Sequence, residues 1–488
     1  MGWKETAEPV LTRMPSVSRP EGHVPFKRKL GWTAGVLVLY FFLTNVYLFG
    51  LPNGSQTQGA DFFGQFRSIL AGAQFSVLHL GIGPIVTASI VLQLLGGADL
   101  LGLDTDDPRD QILYQGLQKL LVVVMIVLTA VPMVASGFIP VAQNGLTVAG
   151  IALSPGALRG LMFVQMFVGG ILILFLDEIV SKWGVGSGIG LFIIAGVSQS
   201  LVGGFISPDG GFFANWIAIA TGAQNIGNVL GGTGFGTVMF NRSFGLLPLV
   251  TTLAIFAIVV YAESVRVEIP LSHARVKGAR GRFPVKLIYA SVLPMILVRA
   301  VQANVQFLGK ILNRVTALPA WVGIYDQQGQ VTGGLFWYLN PVYSPDQWMW
   351  WATSLSHTWY EILLRVGIDL AFMVFGGAIF AIFWVETTDM GPEATAQQIH
   401  NSGMQIPGFR QNVGVIEKVM ERYIPQVTVI GGALVGLLAV AANLLGTIGQ
   451  VTGTGLLLTV SITYKIYEEI AEEQLMEMHP MMRNMFGD

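Results

Sequence analysis

The sequence predicts an all-α, polytopic membrane protein of ten transmembrane helices arranged as two inverted five-helix halves. A low charge content, ten long apolar runs and a weak internal repeat carry that expectation. Of the 488 residues, 52% are hydrophobic and 11% charged, about half the charged fraction of a soluble domain. Lipid must therefore solvate most of the chain. The first apolar run, 32–51, approaches the roughly 20 residues that cross a bilayer. It is longer than the apolar region of a secretory signal and has no small-residue cleavage site behind it, so it reads as a retained span. Nine further runs lie near 75–95, 117–134, 158–175, 186–205, 246–262, 287–307, 368–384, 427–445 and 452–467. Lipid cannot satisfy bare backbone groups, and runs of this length without strict alternation favour helices over barrel strands.

Ten spans place both termini on one side, and the basic residues choose that side. Of the 27 Lys and Arg, 20 fall on one face and 4 on the other, with 3 in or beside spans. The positive-inside rule then puts both termini in the cytoplasm. The acidic stretch 104–110 is an exception that the rule tolerates, because acidic residues contribute little to orientation. The expected organisation is a cytoplasmic segment 1–29, an amino half 30–206, an external loop 207–243, a carboxyl half 244–468 with cytoplasmic loops 266–286 and 386–424, and a cytoplasmic tail 469–488.

The repeat lies in the second and fifth spans of each half. GPIV (83–86) in span two answers LPMI (293–296) in span seven, and GIGLF (188–192) in span five answers GTGLL (453–457) in span ten. An odd number of spans per half inverts the second half, and inverted repeats build their pathway at the interface between them. Pro and paired Gly are also common in membrane helices generally, so the match alone leaves ordinary composition open.

Missing motifs narrow the chemistry. No phosphate-binding GxxxxGK[ST] loop occurs, so energy must come from a partner or a gradient. No cysteine is present, which excludes disulfides and thiolate chemistry. The six histidines show no metal-ligand spacing, and His79 reads as a packing residue. The glycine-rich stretch 184–190 stands between two spans without a strand, so close helix packing is its reading. Asn53 and Asn241 open glycosylation patterns close to the membrane, where chance matches are expected. Asp177 and Glu178 sit at a membrane edge beside Lys182, where capping or salt bridging competes with catalysis. No enzyme, metal or cofactor is expected. An inverted-repeat secondary transporter is the alternative function, but spans two, five and ten carry no charge near the midplane to bind a coupling ion, and Arg365 and Asp369 fall at the outer start of span eight. Arg299 in span seven is costly in lipid and therefore a functional candidate, with no partner evident.

Four blocks then become specific: GIGPIVTA (81–88), LFLDEIVSKWGVGSGIG (174–190), RVEIPL (266–271) and GTGLLLTV (453–460). In order and spacing along nearly the whole chain they resemble the SecY family of protein translocase channels, in its archaeal type. The resemblance implies an hourglass of two halves hinged between spans five and six, with a side exit between spans two and seven. It implies an apolar ring of Ile82, Val86, Ile189, Ile193, Ile296 and Leu458; the pairs four residues apart share a helix face. Such a waist excludes ions by dewetting.

The amphipathic stretch Asp61, Phe62, Phe63, Phe66, Ile69 and Leu70 resembles the family's plug; its composition alone favours an interfacial helix lying in the headgroups. Thr87, Thr129 and Asn304 are implied as a polar cluster at the side exit, although a membrane threonine often bonds its own helix. Arg275, Lys277, Arg280 and Arg282, with Arg410 in the loop 386–424, suit RNA phosphate, and positive-inside charge also accounts for them. The resemblance implies docking of ribosomes there, a SecE-like gamma subunit and a small beta subunit as partners, signal peptides and nascent chains as clients, and a place in the cell membrane.

Overall fold

The computed structural model describes residues 3–22, 24–52, 66–97, 101–103, 107–142, 146–148, 151–208, 210–223, 233–241, 243–273, 280–286, 293–316, 318–326, 329–351, 357–388, 390–401, 404–405, 413–449 and 451–478. The helices in order are α1 (Trp3–Leu11), α2 (Phe26–Thr44), α3 (Arg67–Leu70), α4 (Gly83–Gly97), α5 (Pro108–Ala135), α6 (Pro155–Trp183), α7 (Gly188–Ile206) and α8 (Phe212–Ala220). They continue with α9 (Thr233–Phe240), α10 (Leu246–Ser264), α11 (Leu293–Val315), α12 (Leu335–Tyr338), α13 (Trp359–Thr387), α14 (Pro392–Asn401), α15 (Val413–Leu445) and α16 (Gly453–Met478). Short strands fill connections: β1 (Leu146–Val148), β2 (Ile151–Leu153), β3 (Arg266–His273), β4 (Arg280–Lys286), β5 (Ile324–Tyr325), β6 (Val331–Gly333) and β7 (Met404–Gln405).

The protein is a multi-pass membrane protein whose ten spans form two halves, α2, α4, α5, α6 and α7 against α10, α11, α13, α15 and α16. Among the described residues seven helices are long and apolar enough to cross a membrane on their own composition. The other three spans fall short for local reasons. Helix α2 opens on Lys27, Arg28 and Lys29, α16 ends in a glutamate-rich segment, and α4 has only 15 residues, about 22 Å of rise.

Helix α4 is short because the chain before it is not helical. The sequence predicts a span over 75–95, whereas 71–82 descends as irregular backbone and the helix begins at Gly83. Phe75 has φ 57° and Gly81 φ 56°, and a Cβ at Gly81 would stand 2.1 Å from the Leu70 carbonyl oxygen. Only glycine fits there. The loop secures its own polar groups: Phe75 N–H donates to His79 Nδ1 at 2.9 Å, and Ile82 N–H to Leu70 O at 2.8 Å. Non-helical backbone at membrane depth is tolerated where protein covers it, and Leu78, Leu80 and Ile82 are fully buried.

Other helices outrun their apolar segments. Helix α13 extends the expected 368–384 at both ends, and α15 begins at Val413 rather than 427. Apolar runs report only the part that lipid touches. Helices α13 and α15 meet along Gly377, Gly432 and Gly436, where a Cβ on Gly432 would lie 2.6 Å from the Gly377 carbonyl oxygen. Small residues let membrane helices approach this closely. Gly432→Leu is expected to separate the pair and to cost about 3 kcal/mol or more by overpacking, read as a lowered unfolding temperature in detergent.

The amino-terminal segment straps the ends of α5 and α6. Lys4 pairs with Asp110 at 2.6 Å, and Glu8 with Arg109 at 2.5 Å, whose guanidinium holds the Glu8 carboxyl below its ordinary range. Lys119 and Lys182 both hold Glu178, at 2.8 and 2.6 Å, and donate to the carbonyls of Pro15 and Val17. Part of the acidic exception near 104–110 is thus matched charge, and Glu178 serves in salt bridges.

Candidate functional site

The two halves meet where α4, α7, α11 and α16 converge. Helix α4 touches α11 and α13, and α7 touches α16. Each of these four helices has a recognisable start signal. Pro84 and Pro294 stand in the first turns of α4 and α11, where a missing N–H costs nothing. Helix α7 is capped from its neighbour, as Ile189 N–H donates to Asp177 Oδ1 at 2.8 Å. In α16 the Thr452 hydroxyl oxygen accepts from Gly455 N–H at 3.0 Å, an N-terminal cap.

Those starts bring the expected ring residues into one apolar cluster. Ile82, Val86, Ile193, Ile296 and Leu458 are buried in it, and Ile189 packs against it partly exposed. Ile82, Ile193 and Leu458 have no measurable exposure. These six side chains carry neither charge nor hydrogen-bonding group, so the surface they present to one another is wholly aliphatic.

Ile69 belongs to the same cluster. Its Cγ1 lies 3.6 Å from where a Cβ on Gly455 would stand, and Leu70 lies equally close to the corresponding point on Gly83. Phe66 meets Tyr343 edge-on, 5.8 Å between centroids. Helix α3 ends where Ala71 turns to φ 51°, with its carbonyl accepting from the Tyr40 hydroxyl at 2.8 Å. This segment is embedded in the protein, not laid in headgroups. Asp61, Phe62 and Phe63 lie outside the described residues.

At the side, Asn304 Nδ2 donates to Thr87 Oγ1 at 3.1 Å, joining α11 to α4. Thr129 is not brought into this pair: its hydroxyl donates to the Met125 carbonyl of its own helix at 2.8 Å. A cavity of about 260 Å³ opens beside the junction, with Val86, Ser89, Gln118, Ile189, Ile296 and Trp384 among its walls.

The SecY family profile matches residues 76–467, and a second profile, the plug domain of Sec61p, matches 38–74. The chain belongs to the SecY family. It is 71% identical to the protein translocase subunit SecY of Haloferax volcanii over the full length of both. A solved structure described as a protein conducting channel superposes with TM-score 0.79 at 37% identity, covering 97% of this chain and 98% of that one. Sec61 in the canine ribosome-channel complex from the endoplasmic reticulum gives 0.76 at 37%, with the same coverage. The chain is thus a SecY/Sec61-type protein-conducting channel with a plug domain, the channel-forming subunit of the secretory translocase. Its relatives are translocation subunits rather than known enzymes, and a small-solute transporter finds no support among them.

In this SecY-family channel the described parts of the loop 266–286 are the two strands β3 and β4. Strand β3 pairs antiparallel with β4, Arg280 opposite Ser272 and Arg282 opposite Pro270, and β7 extends the sheet. Its base is braced on α16, where Glu468 accepts from Arg266 at 3.2 Å and pairs with Lys286. Arg275, Lys277 and Arg410 lie outside the described residues.

Sequence reasoning left Arg299 without a partner, and here the SecY-family fold supplies several. Its Nη1 is 2.6 Å from Gln302 Oε1 and 3.5 Å from Asp369 Oδ1. Its Nε and Nη2 donate to Thr454 Oγ1 at 3.2 and 3.0 Å. Asn443 Nδ2 also donates to that oxygen at 3.0 Å. All five residues are buried. The expected place of Asp369 and Arg365 at the outer start of span eight is corrected, because α13 begins at Trp359 and both stand inside it, buried. The usable signals were Arg299 and Gln302 three apart on one helix face, and an aspartate within an apolar run.

Proposed function

We propose that Ile82, Val86, Ile189, Ile193, Ile296 and Leu458 form the seal through which the unfolded chain passes, with the segment carrying Asp61, Phe62, Phe63, Phe66, Ile69 and Leu70 as the plug that closes it. The observation that carries this reading is that Ile69 shares one buried apolar cluster with side chains from all four central helices. A bare aliphatic waist dewets when closed and offers no hydrogen bond that would detain a polypeptide. A cysteine at Gly64 paired with one on the wall of the outer funnel tests the plug directly. The disulfide is expected to form in the resting channel and to block export; a pair that never reacts contradicts the plug.

Thr87 and Asn304 form the polar contact of the side exit between α4 and α11. A hydrogen bond between membrane helices is worth only about 1 kcal/mol, weak enough to be exchanged for an entering apolar segment. Thr129 lines the same exit without joining that pair. The basic hairpin with Arg275, Lys277, Arg280 and Arg282, together with Arg410 in the following loop, docks the ribosome by contact with RNA phosphate. Both termini then lie in the cytoplasm, the protein resides in the cell membrane, and a SecE-like gamma subunit and a small beta subunit complete a heterotrimer. Arg275→Glu combined with Arg410→Glu is expected to weaken ribosome binding and to lower its salt slope by about 2. Co-sedimentation at graded salt measures this; undiminished binding with an unchanged slope contradicts it.

A further inference from the structure

Helix α11 carries a ring residue, Ile296, and a side-exit residue, Asn304, and Arg299 lies between them. The buried network around Arg299 reaches three other spans: Asp369 on α13, Asn443 on α15 and Thr454 on α16. It also holds the outer loop 339–343 from beneath. Gln302 Nε2 donates to Asp369 Oδ1 at 3.1 Å and faces the Leu339 carbonyl at 3.4 Å. Val342 N–H points at Asp369 Oδ2 at 3.5 Å. Arg365, one turn before Asp369, donates to the carbonyls of Asn340 and Pro341 at 2.8 and 2.9 Å.

The clamped loop ends in Tyr343, which touches both sides of the site. The Arg299 guanidinium lies 6.0 Å from the centre of its ring, a cation–π distance. Tyr343 also packs in a small cluster with Phe66 and Leu70. A continuous buried path therefore runs from the helix of the side exit, through Arg299 and Tyr343, to the plug segment.

We infer that Arg299, Asp369 and Tyr343 are positioning residues that couple the side exit to the plug: when α11 moves away from α4, the guanidinium leaves its place under Tyr343 and the seat for Phe66 and Leu70 loosens. The inference rests on the plug and side-exit reading above. A charged network suits the task because it has one well-satisfied arrangement, so a displaced Arg299 strains the loop instead of sliding as an aliphatic side chain would. Coupling of this kind needs an element with discrete arrangements that both sites bias.

The test uses the complete translocase in proteoliposomes, with partner subunits made thiol-free; this chain has no cysteine of its own. Thr87→Cys with Asn304→Cys locks the side exit as a disulfide, and Thr87→Cys alone is the unlocked control. The plug is read by the rate at which an impermeant maleimide, applied from outside with signal peptide present, labels Leu70→Cys, scored at that residue by mass spectrometry. In the otherwise native channel the lock is expected to slow labelling about tenfold. In Arg299→Met/Asp369→Leu, which replaces the ion pair by apolar groups of similar size, and separately in Tyr343→Leu, the lock should change labelling less than about twofold. Equal slowing in all three channels, or no slowing in the native one, overturns the inference. Export that continues through the locked channel removes the side-exit reading itself, and this inference with it.

Discussion

Replacing Ile82 and Ile193 together by glycine is expected to turn the resting channel into an ion leak. Both side chains are fully buried, one just before α4 and the other from α7, in the cluster that also holds Ile296 and Leu458. Removing them opens room for water at the proposed seal, where a narrow passage without polar groups would stay dry. In planar bilayers the variant should raise resting conductance at least about tenfold, while passage of a secretory chain persists because aliphatic surface still lines the waist. The lost packing also destabilises the protein, by about 3 kcal/mol or more at each site, so folding is checked by gel filtration first. Unchanged conductance in a folded variant contradicts the seal.

The second large effect is expected at Asp369. Asp369→Ala leaves Arg299 buried at a membrane helix interface without its carboxylate, and breaking a buried pair from one side costs about 3 to 5 kcal/mol. Arg299→Met/Asp369→Leu removes both charges and should fall close to the native protein in stability. Thermal unfolding in detergent is expected to rank the single variant far below the double one. Equal losses in the two variants would mean that the ion pair does not carry the stability of this region.

The sequence stated the broad fold because lipid imposes it: runs that must satisfy every backbone group internally are visible as apolar segments. Span two was misjudged at its start because 75–82 is as apolar as a helix. Only the positive φ of Phe75 and Gly81, and the closeness of Gly81 to Leu70, reveal the fold-back that brings Ile82 to the centre. The proposed ring rests on resemblance alone as far as the sequence goes, since aliphatic pairs four apart occur on most membrane helices. The Thr87 and Asn304 pair came together across more than two hundred positions of chain, whereas Thr129 bonded its own helix, as local geometry favours. The partners of Arg299 were illegible because Asp369, Asn443 and Thr454 reach it only after α13, α15 and α16 have packed. The pairing of β3 with β4 escaped notice because Pro270 and Pro284 interrupt the strands, opposite Arg282 and Glu268 in the ladder.

The account rests on an aliphatic waist, shared between the two halves, that a polypeptide passes. The most direct measurement places a photoreactive residue midway along a secretory chain arrested in the reconstituted translocase and maps its crosslinks by mass spectrometry. Crosslinks at Ile82, Ile193, Ile296 and Leu458 from that single chain position are the result expected. Silence at those residues, with crosslinks instead on outward side chains such as Phe375, which is 69% exposed, would contradict it.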